Sequence, residues 1–231
     1  MTIKTPLAAA LCIALFAPAA GLCASAAGHE YAQVLASKPD LENGEKLFQQ
    51  CAACHGVDGG GATDGSTPRI AGQYFRVVAR QLVDFRHGYR WDFRMEEMAS
   101  GHHLKDAQDI ADVAGYIASL ERHGVRGVGN GQNLELGAKL YAADCASCHG
   151  ANAEGKEGEN VPRLGGQHAG YLVRQIYDTV DGRRPMLSRS HTQRFSSYEF
   201  EEVLALSDYL ARVGWKNDVI EPQSPQFTLP K

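Results

Sequence analysis

CAACHG over residues 51–56 and CASCHG over residues 145–150 are the two stretches on which the reading of this chain turns. Each sets two cysteines three positions apart with a histidine directly after the second. Cys51, Cys54 and His55 are therefore answered by Cys145, Cys148 and His149. This is the c-type haem attachment signature, written twice. Two thiols so spaced on a helical turn can add to the two vinyl groups of one porphyrin, and the adjoining imidazole comes under the iron as proximal ligand. Disulfides, zinc sites and redox pairs also use paired cysteines. A four-cysteine zinc site needs Cys51, Cys54, Cys145 and Cys148 to converge and leaves both histidines without a role. A thioredoxin-like pair belongs between a strand and a helix, yet LENGEKLFQQ and LELGAKLYAAD, which precede the two motifs, read as helices.

Working outward, an offset of 94 residues carries Cys51 to Cys145, Pro68 to Pro162, Gly72 to Gly166, Gln73 to Gln167 and Gln81 to Gln175. The flanks agree: Gly44-Glu45-Lys46-Leu47-Phe48 answers Gly137-Ala138-Lys139-Leu140-Tyr141. A repeat this long is a tandem domain. Each unit reads as all-α. A first helix runs near Leu41–Gln49 or Leu134–Ala142, then come the haem turn and a Gly-rich loop through Pro68 or Pro162. A second helix follows near Phe75–Phe85 or Tyr171–Val180. After a Met-containing loop, the last helix lies near Asp106–Leu120 or Ser197–Val213. Its apolar stripe is Ile110, Val113, Ala114, Ile117 and Leu120 in the first unit and Val203, Leu206, Leu210 and Val213 in the second. Between the units, Arg122–Gln132 (RHGVRGVGNGQ) has four glycines and no apolar period, and reads as a linker.

Lys4 precedes the apolar run Leu7–Leu22, and Ala24, Ser25, Ala26 and Ala27 follow it, as in a secretory signal peptide. The expected organisation is a signal over 1–26, domain one over 27–125, domain two over 126–213 and a tail over 214–231. Cys12 and Cys23 leave with the signal, so every remaining cysteine belongs to a motif. Export implies the periplasm. The net charge of -4 over 231 residues offers no global attraction to nucleic acid. A domain of about 90 residues buries a marginal core by itself, so a covalently held apolar macrocycle is expected to supply much of each interior.

A proximal histidine leaves one position open on each iron, and its occupant decides between electron transfer and chemistry on oxygen or peroxide. Apart from Met1 the methionines are Met95, Met98 and Met186, all in the loop before the last helix of a unit. Met186, in Arg184-Pro185-Met186, is the candidate in the second unit. In the first, Met95 stands nine positions before Leu104, as Met186 does before Phe195, and Met98 competes with it. His102, His103 and His191 are the alternatives that would give two imidazoles on one iron. Pro68 and Pro162 stiffen loops able to offer a carbonyl to the proximal Nδ1 hydrogen, and Arg69, Arg163, Arg80 and Arg174 are candidates to face propionates.

These motifs, with the segments PRIAGQ (68–73) and PRLGGQ (162–167), the Arg-Gln helices and the methionines at 95 and 186, resemble the tandem class I cytochromes c, specifically the dihaem cytochrome c4 family. The resemblance implies two covalent haem c groups, each held by histidine and methionine, in domains related by a pseudo-twofold axis. It implies a periplasmic electron carrier, not an enzyme, docking transiently with donor and acceptor proteins such as a membrane oxidase. Two alternatives stand beside it: the electron-accepting subunit of a sulfide or thiosulfate dehydrogenase, and a dihaem peroxidase with one open iron. The aromatic, basic stretch GYRWDFR (88–94) and the Pro-containing tail depart from the pattern. Trp91 and Phe93 are candidates for an interface or for covering the first haem edge.

Overall fold

The computed structural model describes residues 25–185, 187–214 and 220–222. In the first unit the helices are α1 (Ala26–Ala36), α2 (Leu41–His55), α3 (Phe75–Arg86), α4 (Phe93–Met98) and α5 (Ala107–Ser119). A short strand, β1 (Arg126–Val128), follows. The second unit has α6 (Leu134–Asp144), α7 (Ala146–His149), α8 (Ala169–Val180), α9 (Arg189–Phe195) and α10 (Phe200–Arg212), and β2 (Ile220–Pro222) comes last. The helices start where short polar side chains can take up their free N–H groups. Asp40, Asp92 and Asp106 accept from the first turns of α2, α4 and α5, and Glu199 with Glu202 forms a capping box on α10.

Helix α2 crosses α5, and α6 crosses α10, at matching glycines. A Cβ on Gly44 would lie 2.2 Å from the Asp112 carbonyl oxygen, and one on Gly137 would lie 2.2 Å from that of Ala205. The backbones approach too closely for any side chain, which explains the glycine at the same place in both repeats. Around the first crossing Phe48, Val83, Leu104, Ile110, Val113 and Ile117 form a buried apolar cluster. Tyr141, Val173, Val203 and Leu206 form its counterpart.

Four features differ from the sequence reading. Helix α1 was not anticipated, although Ala27, Tyr31 and Val34 fall on one helical stripe and are buried against the first unit. The Met-containing loops carry the short helices α4 and α9. The last helices, expected near Asp106 and Ser197, start at Ala107 and Phe200. The first haem turn is no separate element, because α2 runs on to His55. The linker holds β1, paired in parallel with β2 from the tail, with Val128 fully buried. A three-residue strand among glycines has too few side chains for a period to show.

Replacing Gly44 or Gly137 with alanine is expected to lower the thermal midpoint of the holoprotein. Gly101→Ala, where a Cβ meets nothing within 4 Å, is the control and should shift it far less.

Candidate haem sites

In the first unit the helical course of α2 through the motif places Cys51, Cys54 and His55 at i, i+3 and i+4, on one face. In the second the helix breaks at Cys145 and resumes as α7, with the His149 N–H donating to the Cys145 carbonyl at 2.9 Å. Both helices end directly after the histidine, at Gly56 (φ +78°) and Gly150 (φ +85°). That left-handed turn sends the chain back over the imidazole and suits glycine.

The returning loops are pinned alike: Gly61 N–H donates to the His55 carbonyl and Gly155 N–H to that of His149, each at 2.8 Å. This brings a proline carbonyl onto each ring. His55 Nδ1 lies 2.9 Å from the Pro68 oxygen, and His149 Nδ1 lies 3.1 Å from the Pro162 oxygen. A carbonyl only accepts, so Nδ1 is the protonated nitrogen and Nε2 keeps its lone pair. Burial pushes both imidazole pKa values below the ordinary histidine range, which favours the neutral, ligating form. The expectation that the prolines serve the proximal imidazoles is matched by these contacts.

The four cysteines among the described residues are free, Cys54 and Cys148 exposed and the other two half-buried. Burial pushes the Cys51 and Cys145 thiols up to about 11. Among the described residues no three His, Cys, Asp or Glu side chains gather as a metal cluster, so the cysteines do not converge as a four-cysteine zinc site requires. Two open thiols and a neutral imidazole with its Nε2 lone pair left over form the donor set that a covalent haem needs, and the residues fit it in both units.

Met95 lies on α4, half-buried against the apolar cluster of the first unit, with Met98 one turn further on. Met186 lies outside the described residues. The alternative histidines fare differently. His103 Nδ1 is hydrogen-bonded to the Gln50 side chain at 2.7 Å, with Nε2 lying 3.5 Å from a Glu97 carboxylate oxygen, and His102 is exposed. His191 sits across from His149, ring centroids 6.3 Å apart.

The recurrent arginines have protein partners. Arg80 pairs with Asp84 at 2.8 Å, and Arg174 donates to the Gly65 and Ser66 carbonyls. Arg163 stacks over Tyr74 at 4.1 Å, and Arg69 donates to the His123 and Val125 carbonyls. Three of these tie the units or the linker together. GYRWDFR has the same use, which its composition alone did not reveal: Arg90 reaches Tyr171 and Gln175 on α8, and the Trp91 N–H donates to the Arg183 carbonyl. The Trp91 and Phe93 side chains face solvent, Phe93 being 81% exposed.

The two proximal loops meet each other. Gln73 accepts from the Arg163 N–H (3.0 Å) and donates to the Arg163 carbonyl (3.1 Å); Gln167 does the same to Arg69, at 3.0 and 2.8 Å. One residue on, the Tyr74 hydroxyl donates to the Glu154 carbonyl, and His168 Nε2 binds that of Gly60, the equivalent position. Reciprocal pairs of this kind are the signature of a twofold relation. His168 is fully buried, and its Nδ1 accepts from the Gly127 N–H at 3.0 Å, so Nε2 carries the proton and the ring is neutral.

The family model described as cytochrome c matches residues 41–121 and again 134–214. The chain is 32% identical over 190 residues to cytochrome c4 of Azotobacter vinelandii, covering 74% of this chain and 88% of that protein. It is 30% identical over 206 residues to a thiosulfate dehydrogenase electron acceptor of Stutzerimonas stutzeri, covering 80% and 93%. Its structure is similar to that of reduced cytochrome c4 from Pseudomonas stutzeri, with a TM-score of 0.67 and 29% identity over 77% of this chain and all of that one.

Gln167→Ala leaves the buried Arg69 N–H and carbonyl without their partner and is expected to cost about 1–3 kcal/mol, read by denaturant unfolding of the holoprotein. Burial lowers the His168 pKa below its ordinary 6.5, so the unfolded chain takes up the proton first. The stability that His168 contributes is therefore complete above its unfolded value and is lost as pH falls through that value toward the folded one. His168→Asn should flatten this part of the pH profile of the unfolding midpoint, and an unchanged slope would count against the assignment.

Proposed function

Because the chain belongs to the dihaem cytochrome c4 family, periplasmic electron carriers of two tandem class I cytochrome c domains with a haem c in each, we propose the residues that hold those haems and the route by which the protein works. Cys51 and Cys54 attach the first haem, with His55 as its proximal ligand; Cys145, Cys148 and His149 serve the second. The observation that carries this is the repeated proline-carbonyl contact, which leaves one ligating nitrogen on each histidine. Met95 is the proposed sixth ligand in the first unit, with Met98 as its rival on the same short helix.

When bound, each haem supplies a one-electron iron couple. The protein's part is to hold the ligands still and keep water out. The Pro68 and Pro162 carbonyls fix ring rotation, the apolar clusters line the interior, and the glutamine bridges keep the proximal loops of both units in contact. Little rearrangement is then needed when an electron arrives or leaves.

Residues 1–26 are proposed as the export signal, 27–125 and 126–213 as the two domains and 214–231 as a tail. For partners, a free carrier between respiratory donors and a terminal oxidase is the first reading. The likeness to a thiosulfate dehydrogenase electron acceptor favours a second, as the accepting subunit of a periplasmic dehydrogenase. Purification under native conditions separates them: a carrier is recovered alone, whereas a subunit is recovered with a partner at fixed stoichiometry.

The intact holoprotein is expected to carry two porphyrins by mass, retained on acid extraction into organic solvent. Cys51→Ser/Cys54→Ser should carry one. Met95→Leu should remove the far-red methionine-to-iron band of the first haem. If Met98→Leu removes it instead, the sixth ligand moves three residues along α4.

A further inference from the structure

We propose that Gln167 and Gln73 each tune the proximal histidine of the opposite unit, so that the contact between the units sets the two reduction potentials. This rests on the reading that His55 and His149 are the proximal haem ligands. Both glutamines are positioning residues, since they act through a peptide group. Pro68 supplies the carbonyl of that group and Arg69 its N–H. The carbonyl oxygen lies 2.9 Å from His55 Nδ1, and the N–H donates to the Gln167 side-chain oxygen at 3.0 Å. A trans peptide, the form of every peptide bond among the described residues, points these two groups in opposite directions. A continuous chain of hydrogen bonds therefore runs from the His55 ring through one amide to a side chain of the second unit. The reverse chain is its copy: His149 Nδ1 lies 3.1 Å from the Pro162 oxygen, and the Arg163 N–H donates to the Gln73 oxygen at 3.0 Å.

Hydrogen bonds in series strengthen one another, by about 10–30% per bond. When the Arg69 N–H donates, electron density moves along the amide toward the Pro68 oxygen, which becomes the better acceptor. The His55 Nδ1 hydrogen is then held more tightly, and Nε2 becomes a stronger donor to iron. A stronger donor favours the ferric state and lowers the potential. Each glutamine thus acts on the haem of the other unit.

The side chains are fixed with the oxygen toward the arginine N–H. That oxygen also accepts from the next residue, the Tyr74 N–H at 3.1 Å for Gln73 and the His168 N–H at 2.9 Å for Gln167. The amide nitrogens donate to the Arg163 and Arg69 carbonyls at 3.1 and 2.8 Å. Turning either amide over would lose all three of its bonds. The two chains differ in exposure, Gln167 being buried and Gln73 half-buried. Hydrogen bonds are stronger where water is excluded, so the first haem feels the larger effect. The potentials belong to the docked pair of units and not to either one alone.

The test uses the two-haem holoprotein, each potential being followed through haem methyl NMR signals assigned to their own unit, with a porphyrin count by mass. Gln167→Leu fills much of the same space without an acceptor, and is expected to raise the potential of the first haem and leave the second in place. Gln73→Leu should raise the second alone, by less. Gln167→Glu, which keeps an acceptor oxygen, should not raise the first, whereas a merely structural role would move both haems together in any of these variants. No shift, an equal shift at both haems, a shift confined to the glutamine's own unit, or a rise in Gln167→Glu matching that in Gln167→Leu each overturn the proposal. Where a variant fails to fold, the ferrous wild type decides: NMR couplings across the His55–Pro68 and Arg69–Gln167 hydrogen bonds are expected, and their absence overturns it. A mass with fewer than two porphyrins, or proximal imidazole signals from residues other than His55 and His149, overturns the underlying haem reading and this assignment with it, and is told apart by those measurements alone.

Discussion

Everything else in this molecule is arranged around one hydrogen bond made twice, from the Nδ1 hydrogen of a histidine, buried in the first unit and half-buried in the second, to the carbonyl of a proline in the loop that returns over it. The bond sets the tautomer, and the tautomer sets which nitrogen can ligate. It also demands a particular chain path. The helix must stop at the histidine, turn through a left-handed glycine and come back along a loop stiffened by proline. Gly56, Gly61 and Pro68, with Gly150, Gly155 and Pro162, are the residues that path requires.

The same loops form the meeting ground of the two units. Arg69 and Arg163 follow the two prolines directly, and their backbone groups are gripped by Gln167 and Gln73 of the opposite unit. The contact between domains is therefore one peptide away from the contact that orients each proximal imidazole. A shift at the interface would be felt at both rings, and a rigid interface steadies both. In a one-electron carrier, rigidity of this kind keeps the nuclear rearrangement between oxidation states small.

Duplication has not left the halves identical. The first unit gains α1, whose Tyr31 hydroxyl donates to the Asn160 side chain at 2.6 Å and so reaches across to the second. Arg90 and Trp91 add further bridges in the same direction. The segments before the last helices differ as well: α4 carries Met95 and Met98, whereas α9 brings the His191 ring to 6.3 Å from that of His149 between centroids.

The sequence by itself determined the haem motifs, the repeat, the helical architecture and the anchoring prolines. Each of these is a local pattern: a spacing of thiols and imidazole, an offset, a 3.6-residue period or a fixed φ. Helix α1 was equally legible in the period of Ala27, Tyr31 and Val34, but it adjoins the apolar run Leu7–Leu22, which obscures a three-residue stripe in the same window. The partners of Arg90, Gln73, Gln167 and His168 were decided only by tertiary structure, because hydrogen bonds across 80 to 110 residues leave no trace in a local window. So was the pairing of β1 with the tail. The meeting of His191 with His149 belongs to this second group: the two lie on different helices, and only the packing of the second unit brings their ring centroids to 6.3 Å.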